Sequence, residues 1–387
     1  MIINITYLTN LLNNLKYPNH MSSLNKLIKG ALTIFSSSMI IAVIAYFLKL
    51  ILARELSLSD YGLTFSVISL FGLMGIFADL GLNGAIIKFI SEYQSKNQTK
   101  KIHDSFFTVL ILQLSISLII STVFILFSKL IAIKYLSNIS SQLLIKFYAV
   151  YFVLSIIISL TKSTFIASLK NHYFAFFEVG QHIIIFTLTY LLLKLNVGIY
   201  SFFFAYIVFS IIGVVASFLV LTKVMFKDFK IIEIKYDKKI AKKFLTFGFF
   251  ILIYNLFNLF FGRLETVLLT IFRSLNEVGI YSAIMPTILA FSNLFSALIL
   301  VLIPVVSELW TKKNYIELKK NVEKIYTYLL VLIIPVSISL FRYAELIINT
   351  LFTNKFLAGV IPFQILTFSI FFIIFSRINV SILTGIN

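Results

Sequence analysis

From residue 31 onward the chain is a succession of ten apolar runs: 31–53, 61–88, 105–127, 143–167, 175–193, 199–222, 245–271, 278–306, 325–347 and 361–386. A helix needs about 20 residues to cross the hydrocarbon of a bilayer, and each run meets that length. Inside lipid the backbone has no water to bond with, so apolar runs of this kind can only be helices. Composition points the same way: 60% of residues are hydrophobic and 12% charged, about half the charge that a soluble surface carries. The expected fold class is an all-α integral membrane protein with about ten transmembrane helices. An even number of spans puts both ends on one side.

A weak internal repeat organises these runs. The stretch R-E-L-S-L-S-D-Y-G from Arg54, closing on I-K-F-I-S-E-Y, returns as R-S-L-N-E-V-G-I-Y from Arg273, closing on I-P-V-V-S-E-L. Arg54 pairs with Arg273, and Ser91-Glu92 with Ser307-Glu308. A duplicated helical membrane protein usually holds its working site between the copies. The expected organisation is a polar N-terminal segment (1–30), a first lobe of six helices (31–222), a basic linker (223–243) and a second lobe of four helices (244–387). Residues 1–30 hold Lys16, Lys26 and Lys29 and no long apolar run, so no cleavable signal sequence is expected ahead of the first span.

Charge sets the orientation. Of the 33 Lys and Arg, 22 fall on the side of the N-terminus and 8 on the other, while Lys49, Arg263 and Arg377 lie within spans. The positive-inside bias then places the N-terminus and the 223–243 segment in the cytoplasm of a multi-pass cell-membrane protein. The net charge of +18 is topological, because the lysines sit in loops between apolar runs. No nucleic-acid partner is implied. The absence of Cys excludes disulfides, thiolate metal sites and Cys nucleophiles, and the four scattered His give no clustered metal ligands. No P-loop, H-E-x-x-H or G-x-S-x-G occurs, and the outer loops are short. These features argue against an enzyme and imply no cofactor.

The polar groups inside the spans carry the functional reading, since each is costly in lipid. Ser66, Ser69, Gly72, Asp79 and Asn83 recur at helical spacing in the second span, as do Ser38, Ala42, Ala45 and Lys49 in the first. Asn255, Asn258, Gly262 and Glu265 share a face in the seventh, with Arg263 one position off it, and Arg377 lies in the tenth beside Ser376 and Asn379. Lys162, Glu178 and Gln181, toward span ends, are explained by the interface. Two explanations stand side by side. The charges form ion pairs that hold helices together, or the first, second, seventh and eighth spans line a partly cationic cleft for an anionic substrate.

At this point the residues resemble a family. The segments L-A-R-E-L-S-L-S-D-Y-G (52–62), F-A-D-L-G-L-N-G-A-I-I-K-F-I-S-E-Y (77–93), E-V-G-I-Y-S-A (277–283) and L-F-T-N-K-F-L-A-G-V-I-P-F-Q-I-L (351–366) are similar to the prokaryotic polysaccharide, or O-antigen-type, flippases. That family belongs with the lipid II flippases and the multidrug and toxin extrusion transporters in one superfamily. The resemblance implies two six-helix lobes around a central cavity, alternating access, and movement of a polyprenyl-diphosphate-linked oligosaccharide to the outer leaflet. Its implied partners are that lipid-linked oligosaccharide, the bilayer and other polysaccharide-assembly proteins. A cation-coupled drug or metabolite exporter of the same fold is the competing reading, with Asp79 as its ion site. Family members carry 12 to 14 spans and this chain shows ten, ending at Thr384-Gly385-Ile386-Asn387. A truncated product, or one that needs a partner to be stable, is therefore expected.

The expected substrate contacts are Arg263, Arg377 and Lys49 on the diphosphate, with Asn255 and Asn258 beside them. Guanidinium groups stay ionised and can grip phosphate oxygens in a fork. Asp79 and Glu265 are expected to hold these cations in the empty state and release them to substrate. The orientation is testable because the chain has no Cys. A Cys placed at Ser137 should react with an impermeant reagent on intact cells and one at Asp237 should not; the opposite labelling pattern would invert the topology.

Overall fold

The computed structural model describes residues 20–225, 236–260, 264–295, 299 and 302–386, and every regular element among them is helical. The first half comprises α1 (His20–Glu55), α2 (Leu58–Asp79), α3 (Leu82–Ser95), α4 (Thr99–Leu126), the short α5 (Ser128–Lys134), α6 (Ser141–Ala167), α7 (Asn171–Lys194) and α8 (Tyr200–Val224). The second comprises α9 (Lys238–Phe260), α10 (Leu264–Phe272), α11 (Leu275–Leu294), α12 (Leu302–Thr311), α13 (Tyr315–Arg342), the short α14 (Ala344–Phe352), a 3-10 turn (Asn354–Gly359) and α15 (Val360–Ile386). Nine segments among the described residues are long and apolar enough to cross a membrane: α1, α2, α4, α6, α7, α8, α9, α13, and the 3-10 turn continued by α15.

The first helix begins at His20 and so already runs through the end of the 1–30 segment. Two expected spans are corrected. The second span is two helices, because Leu80 (φ 49°) and Gly81 (φ 71°) both take left-handed backbone and end α2 before α3 starts. Glycine adopts that conformation freely and leucine does so at a cost. The break shifts helical phase, so Asn83 no longer continues the stripe that Ser66 begins. The expected eighth span is likewise divided between α11 and α12 and is not among the nine. In the seventh, α9 and α10 stand on either side of residues 261–263, which lie outside the described residues, as do residues 226–235 of the 223–243 segment.

Each half is built on one central helix. In the first, α6 packs on α2, α3, α4, α5, α7 and α8; in the second, α15 packs on α11, α12, α13 and α14. These are the fourth and tenth expected spans, the same place in each copy. Among the described residues, a helix contact as extensive as any within a half joins the two halves, between α2 and α11. Both helices start with the repeated turn. Ser57 Oγ caps α2 by accepting from Asp60 N at 3.0 Å, and Ser274 with Glu277 forms a full capping box on α11. The Ser274 backbone and hydroxyl donate to the exposed Glu277 carboxylate and hold it below the usual range.

One turn into each helix stands a glycine, and each faces the other helix's backbone. A Cβ at Gly62 would lie 1.9 Å from the Leu275 carbonyl oxygen, and one at Gly279 would lie 2.6 Å from that of Leu58. Near the break the same device recurs: a Cβ at Gly248 of α9 would lie 2.6 Å from the Leu80 carbonyl oxygen. Beside the α2–α11 crossing, cations cap helix ends reciprocally. Arg54, near the end of α1, donates to the carbonyls of Thr350 (2.6 Å) and Leu351 (3.1 Å) at the end of α14. Lys355 returns the contact, donating to the carbonyls of Arg54 and Leu56 at 3.2 Å each. The ring of Tyr61 meets Phe356 edge-on at 5.5 Å in the same place.

Because Gly62 admits no side chain, Gly62→Val should separate α2 from α11 and lower the thermal stability of the purified protein by about 2 kcal/mol or more, as overpacking does in tight cores. Glycine-to-alanine at Gly180, where a Cβ meets nothing, is the control and should leave the melting temperature within a degree or so.

Candidate functional site

The seam between α1–α2 and α10–α11 holds two hydrogen bonds between side chains of the two halves. Tyr46 of α1 and Thr287 of α11 share a hydrogen bond at 3.0 Å, and Ser66 of α2 and Thr270 of α10 share one at 2.9 Å. One turn beyond Tyr46 on the same face of α1, the Lys49 ammonium lies 5.1 Å from the centre of the Phe65 ring. Lys49 is half-buried and, among the described residues, is in no ion pair and no side-chain hydrogen bond. A cation over a ring face gains part of its lost hydration back, and an anion would supply the rest.

The other expected site residues are distributed around this seam. Glu265 accepts a hydrogen bond from the Tyr281 hydroxyl, which ties α10 to α11. Arg377 of α15 donates to Asn293 Oδ1 of α11 at 3.0 Å, and next to it Asn379 Oδ1 accepts from Tyr326 of α13 at 2.6 Å. Asn255 is half-buried and Asn258 exposed on α9, where Asn258 Nδ2 bonds the Tyr254 carbonyl at 3.0 Å. Arg263 lies outside the described residues.

Asp79 belongs elsewhere. As the last residue of α2 it turns its Oδ1 onto the start of α3, accepting from Asn83 N at 3.1 Å and from Gln113 Nε2 of α4 at 2.9 Å. Asn83 in turn donates to Ser159 Oγ of α6 at 3.1 Å. The carboxylate thus answers the backbone groups freed by the break, which in a membrane must find a partner within the protein. The expectation that Asp79 and Glu265 hold the cleft cations meets different geometry: the partners found for both are neutral donors, and neither carboxylate is in an ion pair among the described residues. A half-buried ion pair forms instead at Lys162–Glu178, at 2.7 Å between α6 and α7, with Gln181 at 3.4 Å from the same ammonium. Sequence reasoning assigned those three to the interface, because residues on separate helices leave no spacing signal. It also passed over Tyr46, Tyr281 and Thr287 by weighing charges alone, although Tyr46 stands three positions before Lys49 and so shares its face.

Removing the Asp79 carboxylate strands two donors, one of them on Gln113, which is fully buried. Asp79→Ala should therefore cost about 1–3 kcal/mol of stability, and Asp79→Asn, which keeps an acceptor oxygen, should cost less. Thermal unfolding of the purified variants measures both; equal losses would assign the effect to charge rather than to hydrogen bonding.

Comparison with known proteins bears on what such a seam serves. An uncharacterized membrane protein of Methanocaldococcus jannaschii, MJ1068, is 28% identical over 378 residues, covering 95% of this chain and 75% of that protein. An inward-facing multidrug resistance transporter of the MATE family, in the MOP superfamily, superposes with a TM-score of 0.64 at 13% identity, over 88% of this chain and 80% of that one. A MATE structure of a single-residue mutant gives a TM-score of 0.51 at 15% identity, over 92% of this chain and 82% of that one. The fold is thus the one that MATE transporters share, in a multi-pass membrane protein. The family model described as polysaccharide biosynthesis protein matches residues 27–310, most of the chain, and the chain belongs to that polysaccharide biosynthesis protein family.

Proposed function

We propose that this protein moves a polyprenyl-diphosphate-linked oligosaccharide from the cytoplasmic to the outer leaflet of the cell membrane. The N-terminus lies in the cytoplasm, and the lobes 31–222 and 244–387 alternate in access across the seam between α1–α2 and α10–α11. The observation that carries the reading is Lys49, a half-buried ammonium at that seam that lies over the Phe65 ring and, among the described residues, is in no ion pair. A diphosphate has to be shielded where unpaired charge is expensive. Lys49 meets it from α1, with Arg377 and Arg263 from the second half and Asn255 and Asn258 toward the sugar. Asp79 and Glu265, bonded to Gln113 and Tyr281, act by fixing helix position and not on the substrate. No bond is made or broken, so binding and access suffice. The proteins that assemble the oligosaccharide supply the substrate, and those that polymerise or attach it consume the product.

Export of the glycan and protein abundance should be measured together in variants of the cationic contacts. Lys49→Gln removes a charge-assisted contact, worth about 1.5–3 kcal/mol, and should lower export roughly tenfold or more at normal abundance. Lys49→Arg should retain most of it. Normal export from a well-expressed Lys49→Gln, Arg377→Gln double variant would rule the diphosphate site out.

A further inference from the structure

Away from the seam residues just discussed, the start of α9 meets α3 and α4 in a stack of alternating lysines and aromatic rings. The Lys88 ammonium of α3 lies 3.9 Å from the centre of the Phe247 ring and 5.3 Å from that of Phe89. The Lys243 ammonium of α9 lies 4.1 Å from Phe89 and 4.9 Å from Tyr93, and donates to the Tyr93 hydroxyl at 3.0 Å. Lys101 of α4 lies 5.7 Å from Tyr93 on the other side. A surface cavity of about 490 Å³ adjoins this stack, lined by Lys239, Lys242, Lys243, Thr246, Phe247 and Phe250. It is open to the surface and its six lining residues all come from α9, so a ligand there lies along the helix.

Five lysines, 88, 101, 239, 242 and 243, therefore crowd one junction, and none of them is in an ion pair among the described residues. Of the near carboxylates, Glu92 acts on Lys88 and Lys243 through space but is in an ion pair with neither. Glu92 is bound to Lys96 at 2.8 Å, and Asp237 caps α9 by accepting from Lys239 N at 2.7 Å and Ile240 N at 3.2 Å. Cation–π contacts offset part of the mutual repulsion, and an anion would offset more. The order of residues along α9 says which anion. Lys239, Lys243, Thr246, Phe247 and Phe250 share one face, so the cavity passes from charge through a hydroxyl to bare aromatic surface within three turns. Phe249 and Phe250 are 57% and 68% exposed on a membrane-spanning helix, so the aromatic end stands among acyl chains. A free phosphate would use the lysines and leave the aromatic end empty. An amphiphile uses both.

We propose that this cavity is a binding site for an anionic phospholipid, whose headgroup is held by Lys239, Lys242 and Lys243 and whose acyl chain lies on Phe250. With Lys88 and Lys101 across the junction, the headgroup neutralises charge contributed by both halves, so the lipid fastens α9 to α3. The site is separate from the substrate contacts and stands whichever substrate is transported. Each juxtamembrane lysine contributes about 1 kcal/mol toward an anionic surface, a factor of about five.

The full chain, purified in neutral detergent, is mixed with equal amounts of phosphatidylglycerol and phosphatidylcholine of identical acyl chains, and retained lipid is read by native mass spectrometry alongside the melting temperature. Phosphatidylglycerol should be retained in preference and should raise the melting temperature. The triple variant Lys239→Gln, Lys242→Gln, Lys243→Gln should lose that preference about tenfold or more, and Phe250→Asn should weaken retention with the lysines intact. A Lys320→Gln, Lys324→Gln variant, on the exposed start of α13, should behave as the parent. All substituted positions are exposed, so the variants keep the fold, which the melting curve without lipid verifies. Equal retention of the two lipids by the parent, or parental preference in the triple variant, would overturn the proposal. So would displacement of phosphatidylglycerol by millimolar pyrophosphate with the same thermal shift, since that describes a site for free phosphate.

Discussion

Backbone meeting backbone, at Gly62 against Leu275 and at Gly279 against Leu58, is the contact on which the arrangement of the two halves depends. In water two helices are driven together by the surface they bury. In lipid that drive is absent, because acyl chains are as apolar as leucine. What remains is close packing and hydrogen bonding, and both are present at this crossing. The glycines remove the side chains that would keep the axes of α2 and α11 apart, and single hydroxyls join their neighbours on either side, Tyr46 of α1 to Thr287 of α11 and Ser66 of α2 to Thr270 of α10. The capped helix starts matter for the same reason. Ser57 and Ser274 each take one first-turn N–H internally, so two helix N-termini are pressed together with fewer free donors left to find a partner.

Duplication supplied equivalent residues, and the structure has put several of them to unequal use. The S-E-x-x-x-K runs keep the same local role, Glu92 pairing with Lys96 and Glu308 with Lys312 four residues on. Arg54 and Arg273 do not. Arg54 reaches the end of α14, while Arg273 stays exposed on its own helix turn, 4.0 Å from Glu277. A two-fold repeat in sequence therefore becomes a near-symmetric core with an asymmetric rim.

The spans were legible because hydrocarbon thickness imposes a length that ten apolar runs meet, and the repeat was legible because a capped turn and a glycine leave a recognisable string. The break in the second span was not. Leu80 gives no local sign of left-handed backbone, and F-A-D-L-G-L-N reads as continuous apolar helix with one acid in it. Asp79 consequently looked like a charge in search of a cation, when its position at a chain break makes it the acceptor for Asn83 and Gln113. Lys49 was legible as a costly residue but its surroundings were not, since Phe65 and Thr287 come from helices whose relative rotation no single-chain periodicity records. The lysine and aromatic stack escaped for the same reason: positive-inside bias explains Lys88, Lys239, Lys242 and Lys243 completely until their rings are seen beside them.

The reciprocal cap made by Arg54 and Lys355 has a mechanical meaning. Its four bonds run in opposite senses, each half gripping a carbonyl terminus of the other, so no sliding motion relieves one without straining its counterpart. The bonds lie at an exposed rim, so water can replace each of them singly. What the joint adds is alignment: two helix ends from opposite halves are held face to face in one register.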